Sequence, residues 1–126
     1  MQDRRLFPRY SYNSPVELRS RQGARFDAQS WEVSSVGIGL LMERSTVAAL
    51  AQGGSILSTG DQFELIMVGA ADPYFGDSLR VDCRVRHVRR LSQEQYLIGA
   101  WFVDPSPAQE AEIVALLERA RPRGFR

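Results

Sequence analysis

The sequence predicts a mainly β fold, a six-stranded antiparallel β-barrel followed by a C-terminal α-helix. About six short apolar runs of strand length alternate with turn residues along most of the chain. The clearest helical pattern stands after the last of these runs, at the C-terminal end. A length of 126 residues suits one domain. Closing six strands into a barrel removes the exposed edges that an open sheet would leave.

Three of the predicted strands lie in the first half of the chain. They are residues 15–19, 26–34 and 38–42. Gly23 is the expected turn between the first two, and residues 34–37 (SSVG) supply turn chemistry before the third. Residues 46–52 are predicted to form a short helix, which ends at the glycine pair Gly53-Gly54.

The second half adds three strands, which are residues 63–68, 79–86 and 96–103. Residues 70–77 are predicted to form a loop. In the next strand, apolar side chains at alternate positions from Leu79 to Val85 share one face and charged side chains share the other, so one side is buried. The phase slips at residues 87–88, which predicts a β-bulge.

The final strand is apolar on both faces and therefore needs cover on both sides. Ser106 as N-cap, Pro107 and Gln109 form a helix-start signal within a predicted helical region, residues 105–122. The apolar stripe of this helix is Ile113, Leu116, Leu117 and Ala120. We expect the helix to pack on the outer side of the last strand.

Composition limits the function classes. The formal net charge is +1, which disfavours general binding to a nucleic acid polymer. No apolar run approaches the roughly 18 residues that span a bilayer, so membrane insertion is not expected. The single cysteine, Cys83, excludes an intramolecular disulfide, and we expect a cytoplasmic protein.

Chemistry typical of enzymes is missing from the sequence. His87 is the only histidine, and it continues the phase of the apolar strand positions, which predicts a structural role. No group of His, Cys and carboxylates has the spacing of metal ligands. We therefore expect no enzyme, no metal and no cofactor.

Two polar segments stand out against this background. Arg5 and Arg9 precede the first strand, and residues 32–37 (EVSSVG) join two predicted strands. Each alone is consistent with a solvated tail or an ordinary turn. Together they suit a guanine nucleotide, because guanidinium groups bind phosphate and the O6/N7 edge, and a carboxylate binds the N1 and N2 donors.

Their order and spacing resemble the PilZ family, whose members bind the bacterial second messenger cyclic di-GMP. The family carries an RxxxR motif followed by (D/N)xSxxG, and residues 4–9 (RRLFPR) and 32–37 match this order. The resemblance covers nearly the whole chain, as a single PilZ domain at residues 1–126. It implies a PilZ-type barrel at residues 13–104, with residues 1–12 as a flexible lid over the ligand.

The resemblance also implies the roles of individual residues. Arg5 and Arg9 would contact guanine and phosphate, Ser34 would contact phosphate or position the backbone, and Gly37 would form the turn. Glu32 departs from the Asp or Asn of the family and changes the reach of the carboxylate by one methylene. Arg4, just before RxxxR, resembles members that bind cyclic di-GMP as a stacked pair.

The implied function is a non-enzymatic cyclic di-GMP receptor that reorders its N-terminal segment and signals to a protein effector. The alternative is a PilZ-type adaptor that has lost nucleotide binding and acts through protein contacts, as in type IV pilus assembly. Both arginines of RxxxR favour the receptor, and Glu32 favours the adaptor.

Overall fold

A computed structural model describes residues 8–68 and 78–120 of the protein. Its strands are β1 (Tyr10–Ser11), β2 (Pro15–Arg19), β3 (Arg25–Val33), β4 (Gly37–Glu43), β5 (Gln62–Val68), β6 (Ser78–Arg90) and β7 (Gln95–Phe102). Its helices are α1 (Arg44–Leu50) and α2 (Pro107–Ala120). The strands predicted from alternation agree with β2 to β7 within a few residues at each end.

Strands β2 to β7 form a closed antiparallel barrel in the order β3-β2-β5-β6-β7-β4, and β4 returns to pair with β3. The structure therefore confirms a mainly β fold with a six-stranded barrel and a C-terminal helix. Strand β1, which the sequence did not predict, pairs with the end of β3 through Tyr10↔Val33 and Ser11↔Glu32. Part of the segment assigned to residues 1–12 is thus joined to the barrel, and residues 1–7 lie outside the described ranges.

Strand β6 shows how alternation builds the core. Leu79, Val81, Cys83 and Val85 are all buried in one hydrophobic cluster that fills the barrel. The predicted bulge is present, with the register against β7 shifting between Val85 and His87. Because the bulge adds a residue, both Arg86 and His87 are exposed, so the expectation that His87 keeps the phase of the core positions is wrong.

The connection from α1 to β5 is organised by Asp61, a carboxylate that is buried. Its Oδ2 accepts hydrogen bonds from the backbone N–H of Ser58 at 3.0 Å and of Gln52 at 3.4 Å. Gly60 beside it has a φ of 98°, which favours glycine. Helix α1 begins two residues earlier than predicted, and the loop predicted at residues 70–77 lies outside the described residues.

Helix α2 begins with the predicted capping box. The backbone N–H of Gln109 donates to Ser106 Oγ at 3.1 Å, and the backbone N–H of Ser106 donates to Gln109 Oε1 at 2.8 Å. The buried residues of the helix join the barrel core, and its main contacts are with β6 and β1. The expectation that it covers the outer side of β7 is therefore wrong, and that side forms the groove described next.

Candidate functional site

A groove on the outer face of the barrel contains every predicted site residue that the structure describes. Arg9, Glu32, Ser34 and Gly37 all line it. Arg4 and Arg5 lie outside the described residues, so their roles remain predictions. The groove spans the ends of β3 and β4 and the outward positions of β6 and β7, and we call it the Arg9 groove.

Arg9 and Glu32 form an ion pair across the groove, with 2.8 Å between Nη1 of Arg9 and Oε2 of Glu32. The pairing of β1 with β3 produces this contact, because Ser11 lies opposite Glu32 and the chain carries Arg9 past the end of β3. Gly39, the partner of Glu32 on β4, leaves room for it. The Glu32 Cγ lies 3.2 Å from where a Cβ of residue 39 would stand.

Ser34 organises the turn between β3 and β4. Its Oγ accepts hydrogen bonds from the backbone N–H groups of Val36 and Gly37, both at 3.2 Å, and its own N–H donates to the Gly37 carbonyl at 2.9 Å. The residue is buried. The Ser34 hydroxyl therefore holds the backbone of this turn in place.

Gly37 is required by close packing against β7. It pairs with Trp101, and a Cβ at position 37 would overlap the carbonyl oxygen of Ala100. Only glycine lets the backbones approach this closely. Any substitution of Gly37 therefore disturbs the β4–β7 ladder as well as the groove.

Sequence reasoning missed three groove residues, Arg86, His87 and Trp101. The guanidinium carbon of Arg86 lies 4.3 Å from the centroid of the Trp101 ring, a cation–π geometry. The His87 ring lies over Gly99, where a Cβ would overlap the imidazole. The alternation of β6 placed Arg86 outside, but the pairing with β7 was needed to show which side chains it meets.

The groove combines the guanidiniums of Arg9 and Arg86, the Glu32 carboxylate and an exposed aromatic ring. Its open volume is only about 40 Å³, room for a few water molecules. Any larger planar ligand would therefore lie across the groove and displace side chains such as Arg86. Guanidiniums and an indole offer charge and a flat surface for such a ligand.

Cys83 is separated from this chemistry by its position in the core. Burial raises the pKa of the Cys83 thiol far above its usual value, and the negative charge of Asp82 raises it further. The thiol is therefore neutral at physiological pH and is not an activated nucleophile.

Within residues 8–68 and 78–120, no three His, Cys, Asp or Glu side chains come together as a metal site. Neither helix in these ranges is long and apolar enough to cross a membrane.

The fold and the groove define a small antiparallel barrel domain with a charged groove and an exposed aromatic ring on its outside. The PilZ domain family model matches residues 3–119, and the chain belongs to this family. The membership confirms the resemblance that the two motifs predicted. No curated protein sequence matches the chain.

Solved structures share the fold at low sequence identity. The PilZ domain of YcgR from Escherichia coli, solved with c-di-GMP, is 13% identical with a TM-score of 0.67, covering 93% of this chain and 91% of that one. MotI/DgrA, an inhibitor of motility from Bacillus subtilis, is 14% identical with a TM-score of 0.66, covering 94% of this chain and 51% of its own. The K. pneumonia MrkH–c-di-GMP complex is 18% identical with a TM-score of 0.65, covering 94% and 52%.

The chain thus spans about half the length of MotI/DgrA and MrkH and nearly all of the YcgR domain. At these identities the likeness shows the fold.

Proposed function

We propose that this protein is a cyclic di-GMP receptor that is not an enzyme and that signals to a protein effector from the cytoplasm. The observation that carries the proposal is the meeting of the two motifs in one groove. Arg9 and Glu32 are 23 residues apart in sequence and 2.8 Å apart in space. Similar folds solved with c-di-GMP, in YcgR and MrkH, support the same ligand.

The groove offers a contact for each part of the ligand. Arg9 suits a phosphate or the O6/N7 edge of guanine, because its planar fork donates two parallel hydrogen bonds. The Glu32 carboxylate suits the N1 and N2 donors of guanine. Trp101, with 39% of its surface exposed, suits stacking on a base once Arg86 moves aside or stacks with it.

The N-terminal segment would close over the ligand as a lid. Arg5 would join Arg9 on guanine and phosphate, and β1 would anchor the segment to β3. Arg4 would offset the charge of a second stacked cyclic di-GMP, so we propose two ligands per chain. The ordered lid would then present a new surface to the effector.

A second candidate function is an adaptor without nucleotide binding. The Arg9–Glu32 ion pair favours it, because each charge already has a partner when no ligand is present. Exposed ion pairs contribute only about 0.2–1 kcal/mol, however, so a ligand with two phosphates can displace this one.

The test is calorimetric titration with cyclic di-GMP, with GTP and cyclic di-AMP as specificity controls. Arg9→Ala should weaken binding by roughly 1.5–3 kcal/mol, about ten- to a hundredfold, because it removes a charge-assisted contact. Arg44→Ala is the matched control, since Arg44 is exposed and does not line the groove. For the parent protein we expect a stoichiometry of about two cyclic di-GMP molecules per chain.

Three outcomes would contradict parts of the proposal. Equal affinity in Arg9→Ala and the parent would reject the role of Arg9. A stoichiometry of about one cyclic di-GMP molecule per chain would reject the stacked pair. If titration of the parent protein with cyclic di-GMP produces no heat of binding, the receptor proposal is rejected and the adaptor takes its place.

A further inference from the structure

A second and larger groove lies on the outer face of the barrel, where β3 and β4 meet α1. Its volume is about 720 Å³, far more than that of the Arg9 groove. Its main lining residues are Asn13, Asp27, Trp31, Leu41, Glu43 and Thr46. We call it the Trp31 groove.

Trp31 lies on the outer face of β3, in the same alternating phase as Asp27 and Gln29, and it stands at a β-bulge. Ser30 pairs with Leu40 and Glu32 pairs with Gly39, so Trp31 is the extra residue between them. The indole remains 47% exposed. Large exposed aromatic rings in a concavity are typical of binding surfaces, because burying them on association removes much apolar area from water.

The groove is acidic. Asp27 and Glu43 lie two residues beyond the paired positions Gln29 and Leu41, so the alternation of antiparallel strands places both carboxylates on the same outer face. Neither carboxylate forms an ion pair with any residue in the described ranges. Glu17, by contrast, is paired with arginines on the neighbouring strand positions.

Thr46 provides an independent sign that something polar binds here. It is only 7% exposed and lines the groove. Among the residues that the structure describes, no group forms a hydrogen bond with its hydroxyl. A buried hydroxyl without a partner is costly, and a polar group entering the groove would satisfy it.

We propose that the Trp31 groove binds an arginine- or lysine-bearing segment of a partner protein. A cation can stack on the indole and pair with Asp27 and Glu43, while the peptide backbone reaches the Thr46 hydroxyl. The molecule already shows the Arg–Trp contact once, since Arg86 lies 4.3 Å from the Trp101 ring. An acidic or neutral segment would leave both carboxylates without counter-charge.

The short segment from Arg9 to Ser14 connects the two grooves. Arg9 lines the first groove and Asn13 lines the second. Between them, the backbone N–H of Tyr12 donates to the Trp31 carbonyl at 3.1 Å, and that of Ser14 donates to Ser30 Oγ at 2.9 Å. We therefore expect movement of Arg9 onto a ligand to reach the bulge at Trp31 through these hydrogen bonds. This coupling rests on the proposed cyclic di-GMP binding, whereas the groove itself does not.

The experiment follows the two tryptophan indole N–H signals by NMR while a short Gly-Arg repeat peptide is added. The same peptide with citrulline in place of arginine is the neutral control. The Trp31 signal, assigned with Trp31→Phe, should shift with the arginine peptide only. The double variant Asp27→Asn, Glu43→Gln should weaken binding by about fivefold or more. Glu110→Gln with Glu118→Gln, which changes the net charge equally on α2, should leave the affinity unchanged.

The groove proposal is overturned if the Trp31 signal stays in place, if citrulline peptide binds equally well, or if both double variants weaken binding alike. A shift of the Trp31 signal with protein concentration alone would assign the groove to a second copy of the chain and also overturn it.

A second titration in saturating cyclic di-GMP tests the coupling. The nucleotide should move the Trp101 signal, and the peptide affinity should then change by about twofold or more. A shifted Trp101 signal with unchanged peptide affinity overturns the coupling alone. An unshifted Trp101 signal overturns the coupling together with the proposed function and leaves the groove result standing.

Discussion

Glu32 decides how available Arg9 is to a ligand. Its longer side chain, compared with the Asp or Asn of the family motif, reaches the Arg9 guanidinium over the space that Gly39 leaves open. The ion pair holds Arg9 at the groove before any ligand arrives. It also competes with the ligand for the same guanidinium.

Shortening this side chain should therefore favour the ligand. We expect Glu32→Asp to tighten cyclic di-GMP binding by about two- to fivefold, because an exposed ion pair of roughly 0.2–1 kcal/mol no longer competes. Titration calorimetry measures the change. Glu64→Asp is the matched control, since Glu64 pairs with Arg80 at 3.3 Å outside the groove lining. Unchanged or weaker binding in Glu32→Asp would show that the groove uses the longer reach.

At the scale of elements, the connection between α1 and β5 depends on one buried carboxylate. Asp61 accepts two backbone hydrogen bonds, and its own carbonyl accepts one from Val85 N–H at 2.8 Å, next to the bulge of β6. One residue thus connects the loop after α1 with the strand that carries Arg86. The sequence showed a Gly-Asp turn but not this contact.

Asp61→Ala should destabilise the whole domain. Two backbone donors in partly buried hydrogen bonds lose their acceptor, and we expect a cost of about 1–3 kcal/mol in the free energy of unfolding. Urea unfolding of the parent and variant measures this cost. Asp27→Ala removes an exposed carboxylate and should stay within about 0.5 kcal/mol of the parent. Equal midpoints for Asp61→Ala and the parent would contradict the anchoring role.

At the scale of the whole molecule, the barrel has one hydrophobic core, and the buried Cys83 thiol can be used as a probe of it. The thiol is buried inside the barrel, where burial and the Asp82 charge raise its pKa. In the unfolded chain the same thiol has a pKa of about 8.5. The contribution of this thiol to the free energy of unfolding is therefore fully present below about pH 8.5 and is lost as the pH rises above it.

As the pH rises from 7.5 to 9.5, we expect the free energy of unfolding to fall by about 1.4 kcal/mol on account of Cys83. The reason is that the thiol ionises in the unfolded chain and not in the folded one. Urea unfolding at both pH values checks this. Cys83→Ala should be less stable at each pH because of the cavity, but its loss between them should be smaller by the same amount. Identical pH dependence in both proteins would show that the thiol is accessible to base in the folded state.

The sequence by itself determined the family and, apart from β1, the elements of the fold. Strict alternation marked the buried face of β6, the capping box marked the start of α2, and two motifs in order indicated a PilZ domain. These signals are local, because a period of two or a helix cap depends only on neighbouring residues. The sequence proposed six site residues, and the structure brings Arg9, Glu32, Ser34 and Gly37 together in one groove.

Only the tertiary structure decided which surfaces meet. It placed Arg9 on Glu32, stacked Arg86 on Trp101, and set α2 against β6 and β1 instead of over β7. It also placed a β-bulge at Trp31. The physical reason is that alternation tells which face of a strand is buried but not which strand lies beside it. Neighbours and register are set by closure of the barrel and by packing between residues far apart in sequence.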